Sequence, residues 1–166
     1  MRNSLGAGQE SASSAAAEQL VASSDMAGFP RPDEVTGDRV ALRLPAVSAY
    51  LSVLRTATSG LAARMDFSLD EIEDLRIAVD EACVMLLSAA LPGADIEVEF
   101  GLAGDVLDVS VTVPTLTGAR PATDTFSWTV LCALADSAQS RAGPDNRVTI
   151  NLRKRRVIPR SGGEAP

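Results

Sequence analysis

The apolar residues of this chain recur at two spacings, and the order of those spacings limits the folds open to it. Alternation of apolar and polar residues, which is typical of half-buried strands, occurs over residues 39–44, 96–100, 106–113 and 148–152. Helices are predicted from Pro45 to about residue 64, from Ser68 to Pro92 and from Trp128 to about residue 138. The order strand, helix, helix, strand, strand, helix, strand predicts a two-layer α/β sandwich of the α+β type, with helices covering one face of the sheet.

The clearest local signal is a helix start at Ser68. Ser68 followed by Glu71 forms a capping box, in which each side chain bonds a backbone amide that the first turn leaves free. The apolar residues that follow share one helical face: Ile72, Leu75, Val79, Ala82 and Leu86. We expect Pro92-Gly93 to end this helix. The next two strands are expected to form a hairpin with Gly101 and Gly104 in the turn.

Composition divides the chain into a folded segment and two tails. Of its 166 residues 46% are hydrophobic, which is enough for one core. Residues 1–37 are rich in Ser, Ala, Gly and Glu, and we expect a disordered tail there. The folded domain is expected over residues 38–155, followed by a flexible basic tail at 156–166. We interpret the basic cluster that begins at Arg153 as a solvated chain end.

Charge and residue usage exclude several functions. The net charge of -7 argues against direct nucleic-acid binding, because phosphates require a basic surface. The chain has no histidine, which removes the commonest general acid/base and the usual zinc ligand. Cys83 and Cys132 are far apart in sequence, so we expect two small core residues rather than a disulfide or a metal site. Without an apolar stretch of about 18 residues, we expect a cytoplasmic protein that does not enter membranes.

Three stretches of the chain resemble the RsbW-type anti-sigma factors: residues 50–56, 60–68 and 72–82. These proteins are serine kinases of the GHKL (histidine-kinase-like ATPase) superfamily, and the likeness extends over about residues 38–155. It implies a Bergerat-type fold with a mostly antiparallel sheet and the element order given above. The helix that starts at Phe126-Ser127-Trp128 is most similar to divergent actinobacterial members.

The resemblance implies a kinase site whose first part is a Glu and an Asn one helical turn apart. The Glu is the base for the attacking hydroxyl, and the Asn oxygen holds Mg²⁺. Glu81 stands at the base position, but Met85 stands at the Asn position. A thioether is a soft ligand and a poor substitute for the oxygen donors that Mg²⁺ requires.

The second and third parts of the family's site also lack their usual residues. Val113 matches the Asp that accepts the adenine amino group, and Thr115 matches the Gly of the same Asp-x-Gly loop. Thr125 and Ser127 lie where the family has a glycine-rich lid, whose bare backbone approaches the phosphates. We therefore expect no cofactor and a pseudokinase, in which Glu81 has a structural role. ATP and Mg²⁺ would bind only if the chain is an active kinase.

The resemblance also implies protein partners. Family members bind a sigma factor, form homodimers through the sheet edge and first helix, and are released by a STAS-domain anti-anti-sigma protein. Arg55 matches the first-helix arginine that contacts both partners; without the resemblance it reads as a solvated helix residue. We expect Trp128 and Phe126 to fill the emptied nucleotide cavity. The acidic residues of 66–74 are interpreted as favourable charge at a helix N-terminus rather than as a sigma-binding surface.

These expectations define one leading function and two alternatives. The leading function is an anti-sigma factor that works by partner switching without kinase activity. The first alternative is an active serine/threonine kinase that phosphorylates its STAS antagonist and uses Glu81. The second is an adaptor that titrates the antagonist without contacting sigma, and competition binding with both partners would distinguish it.

Overall fold

The computed structural model describes residues 37–158, which form a five-stranded antiparallel sheet and three helices. The strands are β1 (Asp38–Pro45), β2 (Asp95–Ala103), β3 (Val106–Pro114), β4 (Ser137–Ala142) and β5 (Arg147–Arg155). The helices are α1 (Leu51–Arg64), α2 (Leu69–Leu87) and α3 (Phe126–Leu134). The strand order is β1-β2-β3-β5-β4, which confirms the α/β sandwich. Within residues 37–158, no helix is both long and apolar enough to cross a membrane.

Parts of the predicted tails lie outside the described residues. Residues 1–36 and 159–166 are not described, so the tail expected over 1–37 and most of the tail expected over 156–166 stay predictions.

The core lies between one face of the sheet and the helices. Every second residue of β3 is fully buried, from Leu107 to Val113. Phe100 on β2 is fully buried and pairs with Val40 on one side and Val109 on the other. The predicted apolar face of α2 meets this surface, with Ile72 half-buried and its other members buried. The alternation read from the sequence therefore gives the inward face of each layer.

The capping box at the start of α2 is confirmed. The Ser68 hydroxyl accepts a hydrogen bond from the Glu71 amide at 3.3 Å, and Glu71 Oε2 accepts one from the Ser68 amide at 2.7 Å. The other carboxylate oxygen, Oε1, accepts a hydrogen bond from the amide of Val157 at 2.6 Å. Glu71 is buried, so this side chain joins the start of α2 to the segment that follows β5.

Glu71→Gln is expected to lower the free energy of unfolding near neutral pH by about 1–2 kcal/mol, because an amide cannot accept all of these hydrogen bonds. Burial acts to raise the pKa of Glu71, but the hydrogen bonds from Val157 and Ser68 and the nearby Lys154 outweigh it and lower the pKa. A lowered folded-state pKa stabilises the protein above the unfolded-state pKa, and this stabilisation is lost as pH falls through the folded-state value.

The difference between wild type and Glu71→Gln should therefore shrink once the pH falls below about 4. Urea denaturation at several pH values measures it. Glu73→Gln is the matched control, because Glu73 lies on the same helix, is about half exposed and forms an exposed ion pair with Arg76. It should cost less than about 0.5 kcal/mol. Equal losses for the two variants would contradict the assigned role of Glu71.

Two boundaries were predicted wrongly around α2 and the hairpin. The helix ends at Leu87, well before Pro92, because the chain turns to join the sheet. There Ala90 forms an isolated bridge with Thr115, and the Leu91 amide donates to the Pro114 carbonyl at 3.0 Å. Gly101 lies inside β2 and not in the hairpin turn, where Gly104 alone has the positive φ (59°) that favours glycine.

The strand β4 was not predicted, and α3 was predicted too long. The helix ends at Leu134, and the Asp136 amide donates to the Arg153 carbonyl at 2.9 Å, which starts the pairing with β5. Ser137–Ala142 then runs antiparallel to β5 as the edge of the sheet. Long-range backbone pairing thus takes over residues that were expected to continue the helix.

The first three residues of the basic cluster, Arg153, Lys154 and Arg155, are not a solvated end, which corrects the prediction for them. They belong to β5 and pair with carboxylates of the neighbouring elements. Arg153 makes a two-pronged contact with Asp108, and Arg155 bonds Asp105. Lys154 reaches Asp74 on α2 at 3.2 Å. These three cations of β5 are therefore paired within the domain.

The two cysteines lie in different environments. Cys83 is fully buried on α2, as expected, and burial raises the pKa of its thiol to about 12. Cys132 is exposed, which contradicts the expected core position. On the short helix α3 only Leu131 is fully buried. Cys132 is the next residue around the helix axis, and its side chain faces away from the core.

Candidate functional site

Glu81 and Met85 lie one turn apart on α2, as the sequence predicts, and both are half-buried. Met85 packs against the hydrophobic core. The side chain of Glu81 makes no hydrogen bond or ion pair with any other residue in the described range 37–158, and it lines a surface depression with Asp80. A structural role for Glu81 is therefore not supported by a side-chain hydrogen bond among these residues.

The positions matched to the adenine loop are occupied by internal contacts. Val113 is fully buried and pairs with Val148 of β5. Thr115 is also buried, and its hydroxyl donates to the Asn146 carbonyl at 2.9 Å and accepts from the Gly118 amide at 2.9 Å. The hydroxyl of Thr115 therefore holds the loop after β3 against the turn that precedes β5.

The segment matched to the lid starts a helix. Thr125 caps α3, since its hydroxyl accepts a hydrogen bond from the Trp128 amide at 3.2 Å. Ser127 is half-buried, and Trp128 is half-buried and packs against the core, in line with the expected core role. Phe126 is 84% exposed, so the expectation that it fills a cavity beside Trp128 is wrong.

The residues at these positions do not fit ATP and Mg²⁺. Met85 offers sulfur where Mg²⁺ requires oxygen, and Val113 offers no acceptor for an adenine amino group. The sequence from residue 119 to residue 142 contains no glycine, so no backbone there has the freedom of a glycine-rich lid. Glu81 alone keeps the side chain that the chemistry of the family needs.

Arg55 is held by an ion pair that the sequence did not reveal. Its Nε donates to Asp80 Oδ1 at 3.0 Å and its Nη2 donates to Asp80 Oδ2 at 2.7 Å. The hydrogen bond and the negative charge of Asp80 raise the pKa of Arg55. The side chains remain 45% and 27% exposed, respectively. Arg55 is therefore a surface residue whose guanidinium is paired with Asp80 of the next helix.

An open depression of about 390 Å³ surrounds this ion pair. Its lining is formed by Arg55 of α1 and by four residues of α2: Arg76, Ile77, Asp80 and Glu81. Ile77 and Val84 lie two turns apart on α2 and are 39% and 49% exposed. We call Arg55 together with Ile77, Asp80 and Val84 the α1–α2 surface. This surface combines the guanidinium of Arg55, which is paired with Asp80, with the exposed apolar side chains of Ile77 and Val84.

A second group of exposed apolar residues follows β1. Val47, Tyr50 and Val53 are all exposed, and they connect this strand to α1. β1 is an edge strand of the sheet. Among residues 37–158, the outer edge of β1 pairs with no other strand, and these apolar residues directly follow that strand in the chain.

Comparison with known proteins identifies relatives that are named RsbW. No protein-family model matches the chain. It is 38% identical over 77 residues to the serine-protein kinase RsbW of Bacillus subtilis, which covers 45% of this chain and 48% of that protein. It is 36% identical over 101 residues to the anti-sigma-F factor RsbW of Mycobacterium tuberculosis, which covers 61% of this chain and 60% of that protein. The chain thus spans about half the length of the curated Bacillus relatives that it matches.

A solved structure has the same fold. The crystal structure of the RsbU and RsbW domains of Rv1364c from Mycobacterium tuberculosis superposes with a TM-score of 0.60 and 19% sequence identity. The match covers 74% of this chain and 33% of that chain. Sequence similarity and fold agree with the resemblance noted in the sequence: the chain is similar in sequence to RsbW proteins and has the fold of the structure that contains an RsbW domain.

Proposed function

We propose that this chain is an anti-sigma factor that sequesters an alternative sigma factor of RNA polymerase without using ATP. One observation carries the proposal: an RsbW-type fold is combined with Met85 and Val113 at the positions where kinases of the family hold Mg²⁺ and adenine. Sequestration requires only a binding surface, so the loss of these groups leaves it intact.

Phosphoryl transfer places stricter demands on a site than binding does. It depends on Mg²⁺ and on donors that neutralise charge on the phosphates, and one carboxylate replaces neither. Glu81 would therefore have no bound nucleotide on which to act. We assign it to the lining of the α1–α2 surface.

The partners follow from the relatives and from the exposed residues. We propose that sigma and a STAS-domain anti-anti-sigma protein bind in turn at the α1–α2 surface, with Arg55 as the common contact. A homodimer would bury Val47, Tyr50 and Val53 together with the edge of β1. We propose that the protein acts in the cytoplasm, where sigma factors are found.

The direct test uses each alternative sigma factor encoded in the genome of the source organism. Each is expressed singly and titrated against the full chain by calorimetry. We expect one to bind at micromolar concentration or below. If all fail to bind at that concentration, the chain is not an anti-sigma factor, and the STAS-domain proteins become the panel to test.

An active kinase is the second candidate, because Glu81 is retained and the Bacillus subtilis relative is named a serine-protein kinase. Its test is transfer of labelled phosphate from ATP to each STAS-domain protein of the same genome. Transfer that Glu81→Gln abolishes would establish this alternative. Absence of transfer with Mg²⁺ or Mn²⁺ would eliminate it.

A further inference from the structure

Arg55 is the cation at the centre of the α1–α2 surface, and it is exposed to solvent although it is already paired with Asp80. Its guanidinium has five N–H donors, and Asp80 accepts two of them, from Nε and Nη2. The donors of Nη1 and the second donor of Nη2 remain for another acceptor. A carboxylate from a docked protein can use that edge only beside the negative charge of Asp80.

Asp80 can affect the docking of a partner on Arg55 in two opposite ways, and the neighbouring charges decide which of the two is larger. Asp80 could help a partner by orienting Arg55, or hinder it by competing for the guanidinium. The pair is partly exposed, so orientation contributes little. Glu81 lines the same depression, and Arg76 is engaged with Glu73. An incoming carboxylate therefore meets two carboxylates, and both cations of the depression, Arg55 and Arg76, are already paired. Competition from Asp80 for Arg55 thus outweighs the benefit of orienting it.

We infer that Asp80 is an internal competitor that weakens the docking of acidic side chains on Arg55 and so sets the specificity of the α1–α2 surface. The occupant is a protein segment that carries a carboxylate between apolar residues, because Ile77 and Val84 are exposed two turns apart beside the cation. A partner must displace Asp80 or bind alongside it. Only partners with enough apolar contact to offset that cost remain bound. This inference rests on the proposed function.

The test is the affinity of the Asp80→Asn variant for the sigma factor that binds best in the panel described above. Asn has the shape of Asp without its charge, so we expect binding about fivefold tighter than wild type at low salt. The gain should fall as salt is raised, because screening weakens the ion pair through which Asp80 competes for Arg55. Asp80→Ser serves as a second variant, and circular dichroism checks that both fold.

Two controls separate competition for Arg55 from a general effect of charge. Asp38→Asn removes the same charge from another exposed Arg–Asp pair, with Arg64, outside the depression. It should leave the affinity within about twofold of wild type. In an Arg55→Ala background, Asp80→Asn should give no gain, because the group for which it competes is absent.

Unchanged or weaker binding of Asp80→Asn would overturn the inference. An equal gain in the Arg55→Ala background would also overturn it, since Asp80 would then act through general charge. If Arg55→Ala binds as wild type does, Arg55 has no part in docking and the site assignment fails. If no sigma factor binds wild type, the proposed function fails and this inference falls with it.

Discussion

Phe100→Ala is expected to lower the free energy of unfolding by about 3–5 kcal/mol. The ring is fully buried in the middle of the sheet, between the strand neighbours Val40 and Val109. The chain has only four Phe and one Trp, so few large side chains are available to fill the cavity that the substitution would leave. Guanidinium denaturation followed by circular dichroism measures the loss.

Phe126→Ala is the matched control. It makes the same chemical change at a residue that is 84% exposed at the start of α3. We expect a change within about 0.5 kcal/mol. A loss comparable to that of Phe100→Ala would mean that Phe126 is buried after all, as in the nucleotide cavity that the sequence suggested.

Arg55→Ala is expected to weaken sigma binding by about 30-fold or more, the size of effect found for a central arginine at a protein interface. The guanidinium pairs with Asp80 through Nε and Nη2, which leaves its other donors for a partner. Losing it removes the charged contact at the centre of the proposed docking surface. Calorimetric titration of the variant with the sigma factor identified from the panel gives the ratio of dissociation constants.

Arg64→Ala provides the control on the same helix. Arg64 is more exposed than Arg55 and pairs with Asp38 at 3.3 Å, away from the depression around Arg55. We expect less than a threefold effect on binding, because an exposed ion pair contributes little. Similar losses for the two variants would indicate nonspecific attraction by arginines. A change of less than about threefold for Arg55→Ala would place the docking surface elsewhere.

Features that depend on neighbouring residues could be predicted from the sequence. The capping box at Ser68 needs only residues 68–71, and it forms as expected. The alternation on β3 and the apolar stripe of α2 also follow from local spacing, and together they give the layer arrangement. The inward faces of strands and helices were therefore accessible before the structure was known.

Features that depend on distant residues could not be predicted. The strand β4 is Ser-Ala-Gln-Ser-Arg-Ala, which has no apolar alternation; it is a strand because β5 lies beside it. The second hydrogen bond to Glu71 comes from Val157, at the other end of the domain. Neither partner can be recognised in the local pattern.

The candidate site also contains some features that could be predicted from the sequence and others that could not. The chemistry of Met85 and Val113 was readable from their side chains once the resemblance had aligned them. The pairing of Arg55 with Asp80 was not, since it joins two helices across 25 positions of sequence. An aspartate directly before Glu81, on the outward side of α2, was the one signal available for this partner.

The measurement that tests the central claim most directly is sigma binding with and without nucleotide. The sigma factor is titrated into the full chain by calorimetry, first in nucleotide-free buffer and then with millimolar ATP and Mg²⁺. We predict the same dissociation constant, within about twofold, in both conditions, because the side chains of Met85 and Val113 offer neither an oxygen ligand for Mg²⁺ nor an acceptor for adenine. Binding that appears only with ATP and Mg²⁺, or that tightens at least tenfold in their presence, would contradict the proposal of a nucleotide-independent anti-sigma factor.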